Sequence, residues 1–226
     1  MIKPQNFDPS KKYPVYFNVY GGPDHNEVLD SWDGSDFMYH QLLAQKGYIV
    51  FSVDPRGTMY QGTKFKKSTY LELGKLEIED IINSAKELTK LPYVDGDRIG
   101  IMGWSYGGFM ASLAITKGAD VFKMAIAVAP VTNWRYYDNI YTERFMRTPA
   151  ENEAGYDGNS PINFVDKMKG KFFLIHGSAD DNVHYQNSME MINAMVKANK
   201  QFDLFIYPDR NHGIYGGNTR NHLFTM

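Results

Sequence analysis

Cysteine is absent from all 226 residues. That absence excludes disulfides, thiol catalysis and cysteine-ligated metals, but it leaves the compartment open, because exported bacterial proteins often manage without cysteine. Charge of either sign is in little excess: 24 Lys and Arg against 26 Asp and Glu give a net charge of -2, with no basic run. A chain so balanced gives no reason to expect nucleic acid or an anionic membrane as a partner. The opening Met1-Ile2-Lys3-Pro4-Gln5 has no apolar stretch of signal or membrane-spanning length. Repeats, low-complexity tracts and interdomain linkers are also missing, and with 43% hydrophobic content residues 1–226 read as one well-buried domain.

What is present is an alternation of short apolar runs with helix-length amphipathic stretches. Residues 15–20, 48–53, 99–102, 124–129, 172–175 and 202–207 read as six strands. Near-continuous apolar character, as in Tyr48-Ile49-Val50-Phe51, is what a strand covered on both faces requires, so a parallel sheet is expected. Ile78, Ile81, Ile82, Ala85 and Leu88 share one helical face, and Tyr185, Met189, Ile192 and Val196 suggest another. A further helix over 37–46 has Asp36 and Gly47 as caps. The fold class is therefore α/β, a mostly parallel, doubly wound sheet with flanking helices. Residues 132–166, rich in Tyr, Asn and Pro, interrupt the alternation, and such an excursion belongs over the carboxyl ends of the strands, where ligands bind.

Gly103-Trp104-Ser105-Tyr106-Gly107 spells G-x-S-x-G between an apolar run and a helix-like stretch, 109–117. This is the context of a nucleophile elbow, a sharp strand-to-helix turn that lifts a serine hydroxyl clear of the backbone. A Cβ in place of either flanking glycine would collide in so tight a turn. A serine needs a base, and in this architecture the order is Ser, then Asp or Glu, then His. Of the six histidines, His25, His40, His176, His184, His212 and His222, His212 stands in a turn-rich loop after the last expected strand. The acid should come from the loop after the preceding strand, which offers Asp180 and Asp181. Asp181 is nearer the helix over 185–197, whose first turn it can cap, so Asp180 is assigned to orient His212. His176 and His184 read as loop anchors. No cofactor and no metal is expected, because neither histidine has a second ligand at helical spacing and a zinc mechanism would leave the elbow unexplained.

These residues resemble the dipeptidyl peptidase IV branch of the prolyl oligopeptidase family of serine peptidases. Gly-Trp-Ser-Tyr-Gly-Gly at 103–108, His-Gly-Ser-Ala-Asp-Asp-Asn-Val-His at 176–184 and Asn-His-Gly at 211–213 carry the resemblance. Tyr20-Gly21-Gly22-Pro23, Trp134-Arg135-Tyr136-Tyr137-Asp138 and Tyr141-Thr142-Glu143-Arg144 extend it. The resemblance implies an α/β-hydrolase fold and cleavage that releases N-terminal X-Pro or X-Ala dipeptides, with prolyl tripeptidyl or acylaminoacyl peptidases as alternatives. It implies that Tyr20 and the Tyr106 amide hold the oxyanion. By the same resemblance Tyr106, Val131, Trp134, Tyr137, Tyr141 and Val183 line a proline pocket, and Asn182 binds a substrate carbonyl. Family members carry an N-terminal β-propeller with the residues that hold the substrate amine, and many are exported and form homodimers. By that pattern this chain opens near the third strand of the hydrolase domain, lacks the propeller and stops within the last helix. A catalytically inert hydrolase-like domain used for binding or dimerisation is the alternative of another class.

Overall fold

The computed structural model describes residues 1–32 and 34–226. Six strands form one sheet: β1 (Tyr13–Asn18), β2 (Ile49–Phe51), β3 (Val94–Trp104), β4 (Met124–Val128), β5 (Lys171–Gly177) and β6 (Asp203–Tyr207). Their order is β2-β1-β3-β4-β5-β6, and every pairing between them is parallel. All carboxyl ends therefore lie along one edge of the sheet. This is the parallel α/β architecture expected from the alternation, in the α/β-hydrolase form that the resemblance implies.

Eight α-helices are described: α1 (Gly34–Gln45), α2 (Thr63–Lys66), α3 (Lys75–Thr89), α4 (Tyr106–Lys117), α5 (Asn139–Met146), α6 (Glu153–Gly158), α7 (Gln186–Lys197) and α8 (Thr219–Thr225). α1 ends as its sequence suggests. Gly47 takes a φ of 91°, and the N–H groups of Gly47 and Tyr48 donate to Ala44 and Leu43, the paired bonds of a Schellman motif. Its start is earlier than expected, so Asp36 lies in the first turn rather than at the cap.

α4 is buried from Tyr106 to Thr116, which explains its nearly uniform apolar surface. Its two polar side chains inside the core bond back to their own helix, Ser112 Oγ to the Gly108 carbonyl and Thr116 Oγ1 to the Ser112 carbonyl, each at 2.8 Å. Against α4 and the sheet pack the expected face of α3, where Ile78, Ile81, Ala85 and Leu88 are buried and Ile82 half-buried.

α7 turns a different face inward from the one its hydrophobicity suggests. Met189 and Val196 are exposed, whereas Met191 and Met195 are buried together with Asn187 and Ser188. The reason is hydrogen bonding. Asn187 Oδ1 accepts from the Thr132 N–H at 2.9 Å, and Ser188 Oγ bonds the ring of His176 at 2.7 Å, so two polar residues are satisfied in the interior.

Residues 132–166 leave the carboxyl end of β4 and form two short 3₁₀ segments, Trp134–Tyr136 and Pro161–Lys167, with α5 and α6 between them. The second segment packs back on α4 and α7.

Candidate active site

Ser105 follows the last residue of β3 and precedes the first residue of α4. Its φ of 59° and ψ of -115° put a non-glycine residue in a strained backbone region, which persists only where the surroundings enforce it. The enforcement is visible. The Ser105 N–H is held by the Val128 carbonyl of β4 at 2.8 Å, and its carbonyl accepts from Phe109 of α4 at 3.0 Å. A Cβ on Gly103 would collide with the Gly107 carbonyl, and one on Gly107 with the Val19 carbonyl. Strand and helix are thus as close as the motif requires. The Ser105 hydroxyl makes no cap bond to the helix it introduces.

Asp180 and His212 come together from the loops after β5 and β6. His212 Nδ1 donates to Asp180 Oδ2 at 2.7 Å, so in the neutral ring the lone pair sits on Nε2. The loops are fastened to each other: Ser178 and Ala179 donate to the carbonyls of Tyr207 and Arg210 at 2.9 and 3.1 Å. Trp104 Nε1, one residue before the serine, donates to the His212 carbonyl at 3.0 Å and ties the histidine loop to the elbow. Among the described residues no hydrogen bond joins Ser105 to His212, but both line one cavity of about 650 Å³. Such bonds commonly tighten only with substrate in place.

The Asp180 side chain has no exposure and accepts four hydrogen bonds. The Asn182 and Val183 N–H groups reach Oδ1 at 3.0 Å each, and His176 Nε2 and His212 Nδ1 reach Oδ2 at 3.1 and 2.7 Å. Burial alone pushes its pKa up. Bonds from His176 and His212, the nearby His212 charge and the Asn182 N–H outweigh that, and hold the carboxyl well below the usual carboxylate range. His176 Nε2 also donates to the Val183 carbonyl at 2.8 Å. Both its partners are acceptors, which leaves Nδ1 of the neutral ring to accept from Ser188. The expected loop anchor is therefore a buried support for Asp180. His184 contributes its carbonyl, not its ring, to the start of α7. Asp181 is exposed and caps nothing, because α7 begins only at Gln186 with Tyr185 before it.

Tyr20, two residues past β1, lines the cavity with Ser105, and its ring lies 5.9 Å from that of Tyr106 and 4.3 Å from His25. Burial, with a smaller effect of Glu27, raises its pKa, so its hydroxyl stays a proton donor. The Tyr106 N–H belongs to the first turn of α4, where no intrahelical acceptor exists. Tyr137 and Asn182 line the cavity as well, and the Tyr137 hydroxyl donates to Asn182 Oδ1 at 2.6 Å. Burial pushes the Tyr137 phenol up to about 12. The amide nitrogen of Asn182 is left as a donor to whatever occupies the cavity.

The other pocket candidates lie behind this front. Tyr106, Val131, Trp134 and Val183 are buried in the main core and do not line the cavity. Trp134 stacks on Tyr141 at 5.8 Å and meets Tyr137 edge-on at 5.8 Å. Aromatics at 106, 134, 137 and 141 thus form one continuous cluster whose Tyr137 end reaches the cavity. Residues absent from the sequence-based candidates also take part: Trp104 through the His212 loop, Ser188 through His176, and the pair His25 and Glu27, bonded at 2.9 Å at the cavity wall. Among the described residues no group of three or more His, Asp or Glu is placed to hold a metal ion.

Comparison with known proteins agrees with this geometry. The sequence profile described as "Prolyl oligopeptidase family" matches residues 35–226. The chain is 42% identical over its whole length to mouse "Prolyl endopeptidase FAP", of which it covers 30%. It is 45% identical over 94% of its length to "Probable dipeptidyl-aminopeptidase B" of Trichophyton verrucosum, of which it covers 24%. The crystal structure of Porphyromonas gingivalis dipeptidyl peptidase 4 superposes with a TM-score of 0.95 and 50% identity over 99% of this chain and 31% of that one. The chain thus spans under a third of the length of each of these relatives. With 192 consecutive positions matched, from 35 to 226, the chain belongs to the prolyl oligopeptidase family of serine peptidases.

Proposed function

We propose that Ser105, His212 and Asp180 form the catalytic triad of a peptidase that releases N-terminal X-Pro, and less readily X-Ala, dipeptides through an acyl-enzyme. The observation that carries this reading is the 2.7 Å bond to a fully buried, ionised Asp180 from His212, which lines one cavity with Ser105 on its strained elbow. Ser105 Oγ attacks the carbonyl of the second residue while His212 Nε2 takes its proton. Asp180 keeps Nδ1 protonated and stabilises the imidazolium that forms. The Tyr20 hydroxyl and the Tyr106 N–H receive the developing oxyanion, each such donor contributing roughly 2.7 to 4 kcal/mol to the transition state. Collapse of the tetrahedral intermediate breaks the C–N bond, and His212 returns the proton to the departing amine. Water then repeats the sequence on the acyl ester, with His212 as base, and frees the dipeptide.

The flat proline ring fits the aromatic face of Tyr137 and the cluster behind it, and Asn182 offers its amide N–H₂ to the carbonyl before the proline. The residues that would bind the free amine, and so set dipeptide length, belong to the rest of the full-length protein, in an N-terminal β-propeller. A second reading, cleavage after proline inside longer or blocked chains, is favoured by the 42% identity to a prolyl endopeptidase. Turnover of the full-length protein on Gly-Pro, Ala-Ala-Pro and N-acetyl-Gly-Pro p-nitroanilides, beside a short-chain ester, separates the readings. The dipeptidyl assignment expects Gly-Pro to exceed the others in kcat/KM by at least about tenfold, the value of roughly 1.4 kcal/mol. Equal or better cleavage of the tripeptide or blocked substrate would move the assignment to the neighbouring activities.

A further inference from the structure

Glu77, at the start of α3, is completely buried. Its carboxylate is divided between two donors. Oε1 accepts the Tyr106 hydroxyl at 2.7 Å, and Oε2 accepts the Gly74 N–H at 3.0 Å. The second bond is an ordinary reach-back to a helix start, which an exposed glutamate makes equally well. The first is unusual in its destination, since Tyr106 is the residue directly after the proposed nucleophile.

From that anchor a short chain of contacts leads to both proposed oxyanion donors. The Tyr106 ring is wedged among Phe109 at 5.3 Å, Trp134 at 5.5 Å and Tyr20 at 5.9 Å. Gly22 fills the remaining side so closely that a Cβ there would stand 2.8 Å from both Tyr106 and Tyr20. With its hydroxyl fastened, the Tyr106 side chain cannot swing without dragging the first turn of α4, and with it the Tyr106 N–H. The Tyr20 ring leans on the same surface.

A buried carboxylate is a costly way to hold a core together, because well-packed apolar residues do so as stably or better. Burial pushes Glu77 up to about 7, against the pull of the Tyr106 hydroxyl and the N–H groups of Gly74 and of Glu77 itself. The ionisable groups that bear on it are Tyr106 from α4, Tyr141 from α5 and Asp80 on its own helix, and none of these is a cation. Costly ionisable groups of this kind concentrate beneath functional sites.

We propose that Glu77 is a positioning residue, which holds the Tyr106 hydroxyl so that the Tyr106 N–H and the Tyr20 ring stay aimed at the oxyanion. The proposal rests on the reading of Ser105 as nucleophile and makes Glu77 act only through Tyr106. In the ionised form both oxygens accept. In the protonated form one oxygen carries a hydrogen, and one of the two bonds must weaken or turn round. The positioning is therefore complete above about pH 7 and fades below it.

The test is kcat per active site in the full-length protein, with active sites titrated by a fluorophosphonate, for Glu77→Gln, Tyr106→Phe and the double variant. Each single variant is expected to lose kcat on the order of 10- to 100-fold with KM changed less than threefold, since small misplacements of reacting groups cost this much. The double variant should lose little more than either alone. The part of the rise in kcat with pH that follows Glu77 should also disappear in Glu77→Gln, leaving only the rise that His212 imposes as the base. If Glu77→Gln lowers only the titrated fraction and leaves kcat per site and its pH profile unchanged, Glu77 is merely structural and the proposal fails. If Glu77→Gln does not fold, unchanged kcat per site in Tyr106→Phe overturns it equally. Wild-type protein that cleaves substrate without labelling at Ser105 would instead overturn the catalytic reading on which the proposal stands.

Discussion

Replacing Ser105 with alanine is expected to lower kcat on Gly-Pro p-nitroanilide by about 10⁶-fold, the loss seen when a triad nucleophile is removed from a serine hydrolase. The size follows from the absence of any substitute. The chain has no cysteine, so no thiol can take over, and burial raises the pKa values of Tyr20 and Tyr137 at the cavity, which keeps these two phenols protonated. A residual rate of roughly 10³ to 10⁴ over water should persist, because Tyr20, the Tyr106 N–H and the binding surface remain. Stability should change by less than about 0.5 kcal/mol, as for other substitutions that remove no contact: the Ser105 hydroxyl caps nothing, and alanine tolerates the same backbone no worse than serine. Assay of kcat beside a thermal melt checks both halves. An inactive variant that has also unfolded would say nothing of nucleophilicity, which is why the melt belongs to the prediction.

The second large effect is expected from Asp180→Asn, about 10⁴-fold in kcat. Asparagine keeps one acceptor oxygen where Asp180 uses two. If that oxygen serves the Asn182 and Val183 N–H groups, the new N–H₂ points at the ring nitrogens of His176 and His212. His212 must then expose Nδ1 as an acceptor and carry its hydrogen on Nε2, where it blocks transfer from Ser105. His176 has the Val183 carbonyl as a second acceptor and is less affected. The variant should also lose stability, on the order of 1 to 3 kcal/mol for the donors left without a full partner.

The pH dependence of that loss has a definite sign. The folded pKa of Asp180 is depressed, so its contribution to stability is fully present above the ordinary carboxylate pKa and is lost as pH falls through the folded value. Wild type and Asp180→Asn should differ most in melting temperature near neutral pH and converge in strong acid. A gap that widens toward acid would contradict the assignment of Asp180 as the ionised partner.

The sheet was legible because strands buried on both faces must be apolar almost throughout, and the run at 48–51 or 172–175 has no other economical reading. Where a strand reaches beyond the core the signal disappears. β3 begins at Val94, yet Asp95, Gly96, Asp97 and Arg98 look like a turn, and only pairing with Tyr13 extends the strand through them. The strained turn at Ser105 and the bonded pair of Asp180 and His212 stand where the expected order of Ser, then Asp, then His put them, because that order constrains three loops at once. What could not be read are the burials decided by hydrogen bonding across the fold. Asn187 and Ser188 turn α7 inward through Thr132 and His176, against the ranking by hydrophobicity. Glu77 sits beside an apolar helical face, where a glutamate ordinarily faces water, and its burial is tolerated because the Tyr106 hydroxyl from α4 and the Gly74 N–H both donate to it. The aromatic segment after β4 shows the same limit. Trp134, Tyr137 and Tyr141 are all aromatic, but of these only Tyr137 reaches the cavity, and no pattern along the chain distinguishes it.

The central claim is that Ser105 is the activated nucleophile, and the most direct measurement is mass spectrometric mapping of the full-length protein after reaction with a fluorophosphonate. The account predicts a single phosphonylated peptide containing residues 103–108, with the adduct on Ser105, and no adduct at that position in Ser105→Ala or after heat unfolding. An adduct on any other residue of protein that still cleaves Gly-Pro substrate, or full cleavage with Ser105 unlabelled, would contradict it.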